Sequence, residues 1–549
     1  MNRRLFSLIV LVTLVLTLFP AAGVASRVGT AAAAGEPKAG GRVVVGFTQE
    51  PDRLWPPITG LSVSYEVAGL INLPLVGVND KNEFYPILAK EVPTVQNGGL
   101  SQDSLTWTFH LRDDVKWQDG QPFTSADVKF TYEMIMMEGT DVVSRVGWDK
   151  ITACDTPDDT TVIFKFKEVD APFVMRVSNT PTLPKHILQG LTAEAFNAAE
   201  WFHKPVGTGP FMFKEWVAGD HITVVKNPNF FIKGQPYLDE IIYRVVPDPN
   251  TLLNMTETGD VDVQIRIQND LAELVDSMPN IQRVTAQSIS PWLIWINVND
   301  PLFKDVRTRQ ALAYGFDKEI ISKQIFRGLA EPADGPISPQ LWAYNPDIMT
   351  FRHDPEKAKA LLDQVGWKED ASGVRTAHGV AGVADGTPLK FEIANIAGEQ
   401  IRVQLLSLVQ AQWKEVGVQA EIRLVDVGTL FGNMLPNNQF QTGYSYIGRY
   451  VDPNIDDLYL DRDKYGNKSN YSGYSNPKVD ELLVASGQTA DQAKRKQYLA
   501  EAQAIIAEEV PQLYISWRAN NTAVNKRVHG YLPTPGYNEM WNAADWWVD

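Results

Sequence analysis

Between Leu105 and Ile135 the hydrophobic period of the chain changes once, and that change dictates three consecutive elements. Leu105, Trp107, Phe109 and Leu111 alternate with Thr106, Thr108 and His110, the period of a half-buried strand. Asp119-Gly120 is a turn pair. Thr124 then stands at an N-cap position with Asp127 three residues on, and Val128, Tyr132 and Ile135 form the apolar stripe of a helix. The spacing predicts a strand, a polar turn and a capped helix in direct succession.

A chain of 549 residues is too long for one hydrophobic core, so two or more lobes are expected. Its 44% hydrophobic and 21% charged residues place it among soluble globular proteins. The 15 Trp are a surplus. Most should pack in cores, and in an exported binder the remainder would line a ligand cleft. The net charge is −16, and −18 once Arg3 and Arg4 are removed with the N-terminal segment. That balance argues against nucleic acid or an anionic membrane face as a partner.

The N-terminus reads as an export signal. Arg3 and Arg4 form a basic start, Leu5 to Phe19 is apolar and uncharged, and Gly23-Val24-Ala25 or the Ala31–Ala34 run offers small residues for cleavage. A spanning anchor is the competing reading, but the apolar run is short for a bilayer. The only cysteine is Cys154, far downstream, so neither lipidation just after the signal nor an intramolecular disulfide is expected. Cys154 reads as an inert packed thiol.

Residues 1–25 are thus the expected signal peptide and residues 26–41, rich in Ala and Gly, a flexible leader. Arg42–Phe47 reads as a buried first strand, and Thr161–Lys167 alternates as a partner for the Leu105–Leu111 strand or a neighbour. Gly207, Gly209 and Pro210 read as a structural turn, because no helix with a phosphate-cradling Lys follows. Trp292–Asn299 reads as a strand. Asp305, Asp317, Asp354 and Asn476 read as helix caps, and Gly328 and Gly366 as helix stops. Lys368–Gly386 is expected as an exposed loop, and a last long helix over Asp491–Glu509 is ended by Pro511. Asn520–Trp547 shows no strong periodicity.

The block Phe109–Thr131 (FHLRDDVKWQDGQPFTSADVKFT) resembles the signature region of the peptide/nickel class, family 5, of extracytoplasmic solute-binding proteins, which deliver ligands to ABC importers. Pro181–Ile187, Val206–Phe213 and Asn227–Tyr243 are similar to further hallmark segments, and Phe303–Gly328 and the helices after it to the second lobe. The resemblance implies an α/β, two-lobed periplasmic-binding-protein fold of class II, cluster C type, with an extra subdomain in the first lobe and the ligand cleft between lobes. It implies a lobe I core of 42–60, 206–289 and 516–549, an extra subdomain of 61–205 and a lobe II of 290–515, with crossings near Val206, Ser290 and Ser516. It also implies an exported monomer, periplasmic or cell-surface associated, that hands a small ligand to permease subunits without catalysis or cofactor.

In peptide-binding relatives a loop late in lobe II carries an aromatic residue, then an Asp that pairs with the peptide amine, then an acidic residue before Pro. Here the loop reads Tyr444–Asn454, YSYIGRYVDPN. The resemblance assigns Tyr446 to the aromatic and Asp452-Pro453 to the acidic pair, while the amine position falls on Arg449. A guanidinium repels an ammonium and prefers carboxylates, phosphates and aromatic planes. The candidate ligand-binding residues are therefore Tyr65, Tyr446, Arg449, Tyr450 and Asp452. An oligopeptide is the expected ligand, and an oligosaccharide stacking on Tyr and Trp is the alternative that Arg449 raises.

A secreted hydrolase is the main rival. The 66 Asp and Glu guarantee paired carboxylates by chance, but Gly-x-Ser-x-Gly and His-Glu-x-x-His are absent, and the 7 His are dispersed without a ligand-like i, i+4 pair. No metal site is expected from that spacing. A receptor or chaperone on the same fold is a third reading, separable by whether any small molecule stabilises the protein.

Overall fold

The computed structural model describes residues 36–549 apart from 399 and 537; the expected signal peptide 1–25 and residues 26–35 of the expected leader lie outside the described residues. Residues Lys38–Asp549 form one unit.

Its backbone is a ten-stranded sheet. The order is Gln419–Val425, Lys390–Ile396, Thr442–Tyr446, Ile281–Ile296, Gln512–Asn525, Val263–Ile267, Arg42–Phe47, Glu240–Val245, His221–Lys226 and Phe211–Val217. Arg42–Phe47 runs parallel to both neighbours, with Val43 and Val45 fully buried, as the apolar run requires. The two ends of the sheet belong to the two lobes. They are joined by the antiparallel pair Ile281–Ile296 and Gln512–Asn525, whose register is interrupted between Gln287 and Pro291. Opposite that break the segment around Ala333 bonds to the second strand, Ala333 N–H to Ile515 O at 3.1 Å and Trp517 N–H to Glu331 O at 2.8 Å. The crossing expected near Val206 is a join of another kind. Val206 packs on the core that includes Trp107 and Phe109 and leads into strand Phe211–Val217 at one end of the ten-stranded sheet.

The signature block folds as its period requires. Thr106–His110 pairs antiparallel with Thr161–Phe166, and Ile151–Asp158 completes a three-stranded sheet. Helix Ser125–Met136 packs on this sheet. Around it lies a core that includes Trp107, Phe109, Phe164 and Phe173, the last two with ring centroids 5.2 Å apart. Helix Ser62–Ile71, which falls in the expected extra subdomain, packs elsewhere. Its Val63, Val67 and Ile71 share a core with Val43, Ile241 and Trp546.

The aspartate caps form as their sequence positions dictate. Asp305 accepts from Arg307 N–H at 2.9 Å, Asp317 from Glu319 N–H at 2.8 Å and Asp354 from Lys357 N–H at 2.9 Å. Gly366 ends its helix with φ 110°, a left-handed conformation that favours glycine. Two expectations need correction. The loop expected over Lys368–Gly386 contains a hairpin, Trp367–Glu369 paired with Arg375–Ala377. The Asp370 carboxylate closes its turn, and the buried Arg375 guanidinium donates to Val416 O at 2.8 Å and Trp367 O at 2.7 Å. Strands of three residues are too short to show a period. The expected strand Trp292–Asn299 is, as far as Ile296, the end of a strand of 16 residues, and the aperiodic tail begins inside one of 14. Both long strands are buried on both faces over most of their length, which erases the alternation that reveals a strand.

Candidate ligand-binding site

A cavity of about 430 Å³ lies between the lobes, within the ~300–1,000 Å³ span of small-molecule sites. One side supplies Tyr65, Gly69 and Leu70 from helix Ser62–Ile71, Tyr85 from a short strand, Phe230 and Phe231, and Thr534, Gly536, Asn538 and residues 540–545 of the C-terminal stretch; the other supplies the loop Arg449–Val451, and Ile289 comes from the long strand Ile281–Ile296 that joins the two. The lobes also touch beside it. Ala171 N–H donates to Gly487 O at 3.1 Å, and Met175 is buried in the core of lobe II.

Three devices hold this lining. The first is the turn at Gly207 and Gly209, where the chain crosses the C-terminal end of helix Ser62–Ile71. Gly209 N–H donates to Ile71 O at 2.7 Å, and a Cβ at Gly207 would lie 2.0 Å from Ile71 O. Only glycine permits that approach. Gln118 of the signature block stitches the turn in place, donating to Phe211 O at 2.7 Å and accepting from Gly207 N–H at 2.9 Å.

The second is a buried ionic cluster behind the cavity. Arg266 donates to Glu539 at 2.8 Å, to Glu66 at 2.8 Å and to Ser62 at 2.6 Å. Glu66 is fully buried, and burial, then the neighbouring Glu539 carboxylate, push its acid well above the usual range. One arginine faces two carboxyl groups, so the cluster is neutral when Glu66 keeps its proton. Glu66 also accepts from Met540 N–H at 3.2 Å, which pins the C-terminal stretch to the helix that carries Tyr65.

The third is the loop after Tyr446. Arg449 is 6% exposed, and its guanidinium donates to both Asp457 oxygens at 3.0 and 2.9 Å and to Asn454 O. Its backbone N–H donates to Ser290 Oγ at 3.0 Å, at the register break of the long strands. Asp452 is bonded at 2.8 and 2.7 Å by the buried Arg495. Burial pushes Asp456 up to about 7, with the Asp457 and Asp452 charges adding to it.

Of the residues singled out in the sequence, Tyr65, Arg449 and Tyr450 line the cavity. The Tyr65 and Tyr450 hydroxyls, one from each lobe, lie close enough for Tyr450 to add to the burial that raises the Tyr65 phenol. Tyr450 is half exposed, whereas the Arg449 charge is already met by Asp457. Tyr446 and Asp452 lie outside the lining. Tyr446 meets the Trp292 ring at 5.2 Å and carries the Arg518 guanidinium 4.2 Å over its own ring. Asp452 is occupied by Arg495. The sequence reading did not single out Tyr85, Trp541 or Asp545, which also line the cavity. The last two fall in the aperiodic tail, where local aromatic richness was the only available signal. Among the described residues no group of three or more His, Cys, Asp or Glu is placed to hold a metal ion. Cys154 is buried, which pushes its thiol up to about 12.

The comparisons agree with this geometry. The family of bacterial extracellular solute-binding proteins, family 5 Middle, matches residues 83–471. The oligopeptide-binding protein AppA of Bacillus subtilis (strain 168) is 30% identical over 563 aligned positions, covering 100% of both chains. The glutathione-binding protein GsiB of Salmonella typhimurium is 27% identical over 453 positions, 81% of this chain and 84% of that one. Among solved structures, Bacillus subtilis AppA in complex with a nonapeptide superimposes with a TM-score of 0.78 at 27% identity, covering 94% of this chain and 100% of that chain. NikZ from Campylobacter jejuni in complex with Ni(L-His) shares the fold, with a TM-score of 0.78 at 24% identity over 92% of this chain and 99% of that one. The two-lobed architecture, the cavity between the lobes and the match over most of the sequence make this chain a member of family 5 of the bacterial extracellular solute-binding proteins.

Proposed function

We propose that this protein captures an oligopeptide between its lobes and delivers it unchanged to the permease of an ABC importer. The observation that carries the reading is the interlobe cavity, lined from both sides and dominated by aromatic and apolar groups with backbone and amide edges around them. Such a site gains its contacts with both lobes only when they are shut, so ligand and closure stabilise one another. The full-length likeness to an oligopeptide-binding protein supports a peptide as the guest. So does the position of Arg449. Its charge is neutralised by Asp457, which weakens the repulsion of a peptide amine that made an oligosaccharide the alternative.

The lobe limits we propose follow the packing: a lobe I core of 42–71, 206–289 and 516–549, a subdomain of 72–205, and lobe II over 290–515. Export by the 1–25 segment without lipidation, a monomeric state and the absence of catalysis belong to the same reading. Tyr65 and Tyr450 are the proposed ligand contacts, with Arg449 as a buried support for the loop.

The test is calorimetric titration of the mature protein with pools of short peptides and with maltotriose, paired with small-angle scattering. Peptide binding with a more compact solution shape is expected. Binding of maltotriose alone, or conversion of any probe into a product, would overturn the reading.

A further inference from the structure

The ionic bookkeeping of the cavity is uneven. Among the described residues that line it, three carry full charges: Arg112, Arg449 and Asp545. Both arginines are already paired. Arg112 is bound by Asp114 at 2.8 and 2.6 Å and lies 4.6 Å over the Phe231 ring; Arg449 is bound by Asp457. Asp545 has no cationic partner among the described residues. Its one side-chain contact is the neutral Gln235 amide, which donates to Oδ1. The Asp545 carboxylate is exposed to solvent in the cleft; partial desolvation raises its acid, and no neighbouring cation opposes that rise. A solvated carboxylate without a counter-ion in a cleft attracts a positive guest, and the attraction strengthens as guest and closing lobes displace water around it.

The surroundings favour the same guest. Tyr85 is close enough for the Asp545 charge to act on its phenol, which burial and then that charge push up to about 12. The Tyr85 and Trp541 rings meet edge to face at 6.0 Å, and both line the cavity. Aromatic faces beside a carboxylate attract an ammonium or guanidinium through the ring quadrupole as well as through the ion. The platform is firmly built. Asp545 N–H donates to Asn542 O at 2.9 Å, Asn542 donates to Gly530 O at 2.7 Å, and Trp541 Nε1 donates to Leu532 O at 3.2 Å.

We propose that Asp545, flanked by Tyr85 and Trp541, is the anchor for a positively charged group of the solute, placed on the lobe opposite the Arg449 loop. The inference rests on the reading of this cavity as the solute site. With about 430 Å³ available, the guest is compact: a short peptide bearing its charge on the amino terminus or on a basic side chain.

The experiment titrates four probes into the mature wild-type protein and into Asp545→Asn. They are tripeptides with free amino termini, the same tripeptides N-acetylated and free of Lys, Arg and His, spermidine, and maltotriose. The expected result is that wild type binds the free-amine tripeptides at least tenfold more tightly than the acetylated ones, and that Asp545→Asn abolishes the difference while its ligand-free thermal midpoint is unchanged. Trp541→Leu should reduce the same preference and serves as a second variant. Acetylated peptides bound as tightly as free ones would overturn the Asp545 anchor and leave the peptide reading standing. Spermidine bound through Asp545 without any peptide would uphold the anchor and overturn the peptide reading. Failure of every cationic probe to bind, or a preference that survives Asp545→Asn, would overturn the anchor.

Discussion

The signature block around Asp127 and the loop around Arg449 are built by the same means and differ in where their partners come from. In the block, Asp127 accepts from Thr124 N–H at 2.9 Å, Trp117 Nε1 at 3.3 Å and Lys185 N–H at 3.0 Å. Two of those three donors lie within ten residues in sequence. In the loop, Arg449 is fixed by Ser290 and Asp457, and Asp452 by Arg495. Ser290 and Arg495 are distant in sequence. The block is therefore recognisable by its local pattern and works as a brace: its Gln118 holds the glycine turn against the helix that carries Tyr65. The loop presents the charges that suggest recognition, yet two of its three most suggestive residues are committed to the fold. A charged side chain in a ligand loop is a contact only if the rest of the protein leaves it unpaired.

Four substitutions would break or sharpen that contrast. The largest effect is expected from Asp452→Ala, which strands the buried Arg495 charge. It should lower stability by ~3–5 kcal/mol in chemical denaturation, and a ligand-site residue without a structural role would not. Asp127→Ala removes the acceptor of three N–H groups in the brace and should cost ~2–3 kcal/mol in the same measurement. Tyr450→Ala should act on binding instead. Tyr450 is 51% exposed, so the ligand-free midpoint should hold while peptide affinity drops by about tenfold, ~1.4 kcal/mol. An unchanged affinity would remove it from the site.

The smallest effect is the pH response of Glu66. Its folded acid lies above its ordinary value, so the folded state holds a proton that the unfolded chain releases. That contribution is complete below the ordinary glutamate range and is lost as pH rises toward the raised value. Glu66→Gln cannot ionise. Its thermal midpoint should match wild type at pH 4.5 and exceed it at pH 8. A midpoint gap that does not change with pH would mean that Glu66 is not the protonated member of the cluster.

Much of the architecture was legible because it is written in short-range chemistry. The alternation around Trp107, the caps at Asp305, Asp317 and Asp354, and the stop at Gly366 each need only a few neighbouring residues to be read. The two long strands joining the lobes were not legible. Their burial on both faces removes the period, and the pairing that defines them links residues more than two hundred positions apart. The hairpin at Trp367–Ala377 escaped for the opposite reason, since its strands are too brief to carry a pattern.

By itself the sequence determined the family, the two-lobed α/β class and the local elements, because period, caps and turn residues act over a few positions. Only the tertiary structure decided which charges face the solute. It paired Arg449 with Asp457 and Asp452 with Arg495, and it brought Tyr65, Tyr450 and Asp545 to one cavity from three distant parts of the chain. Whether an ion is available to a ligand depends on the counter-ion that folding places beside it, and no local pattern encodes that neighbour.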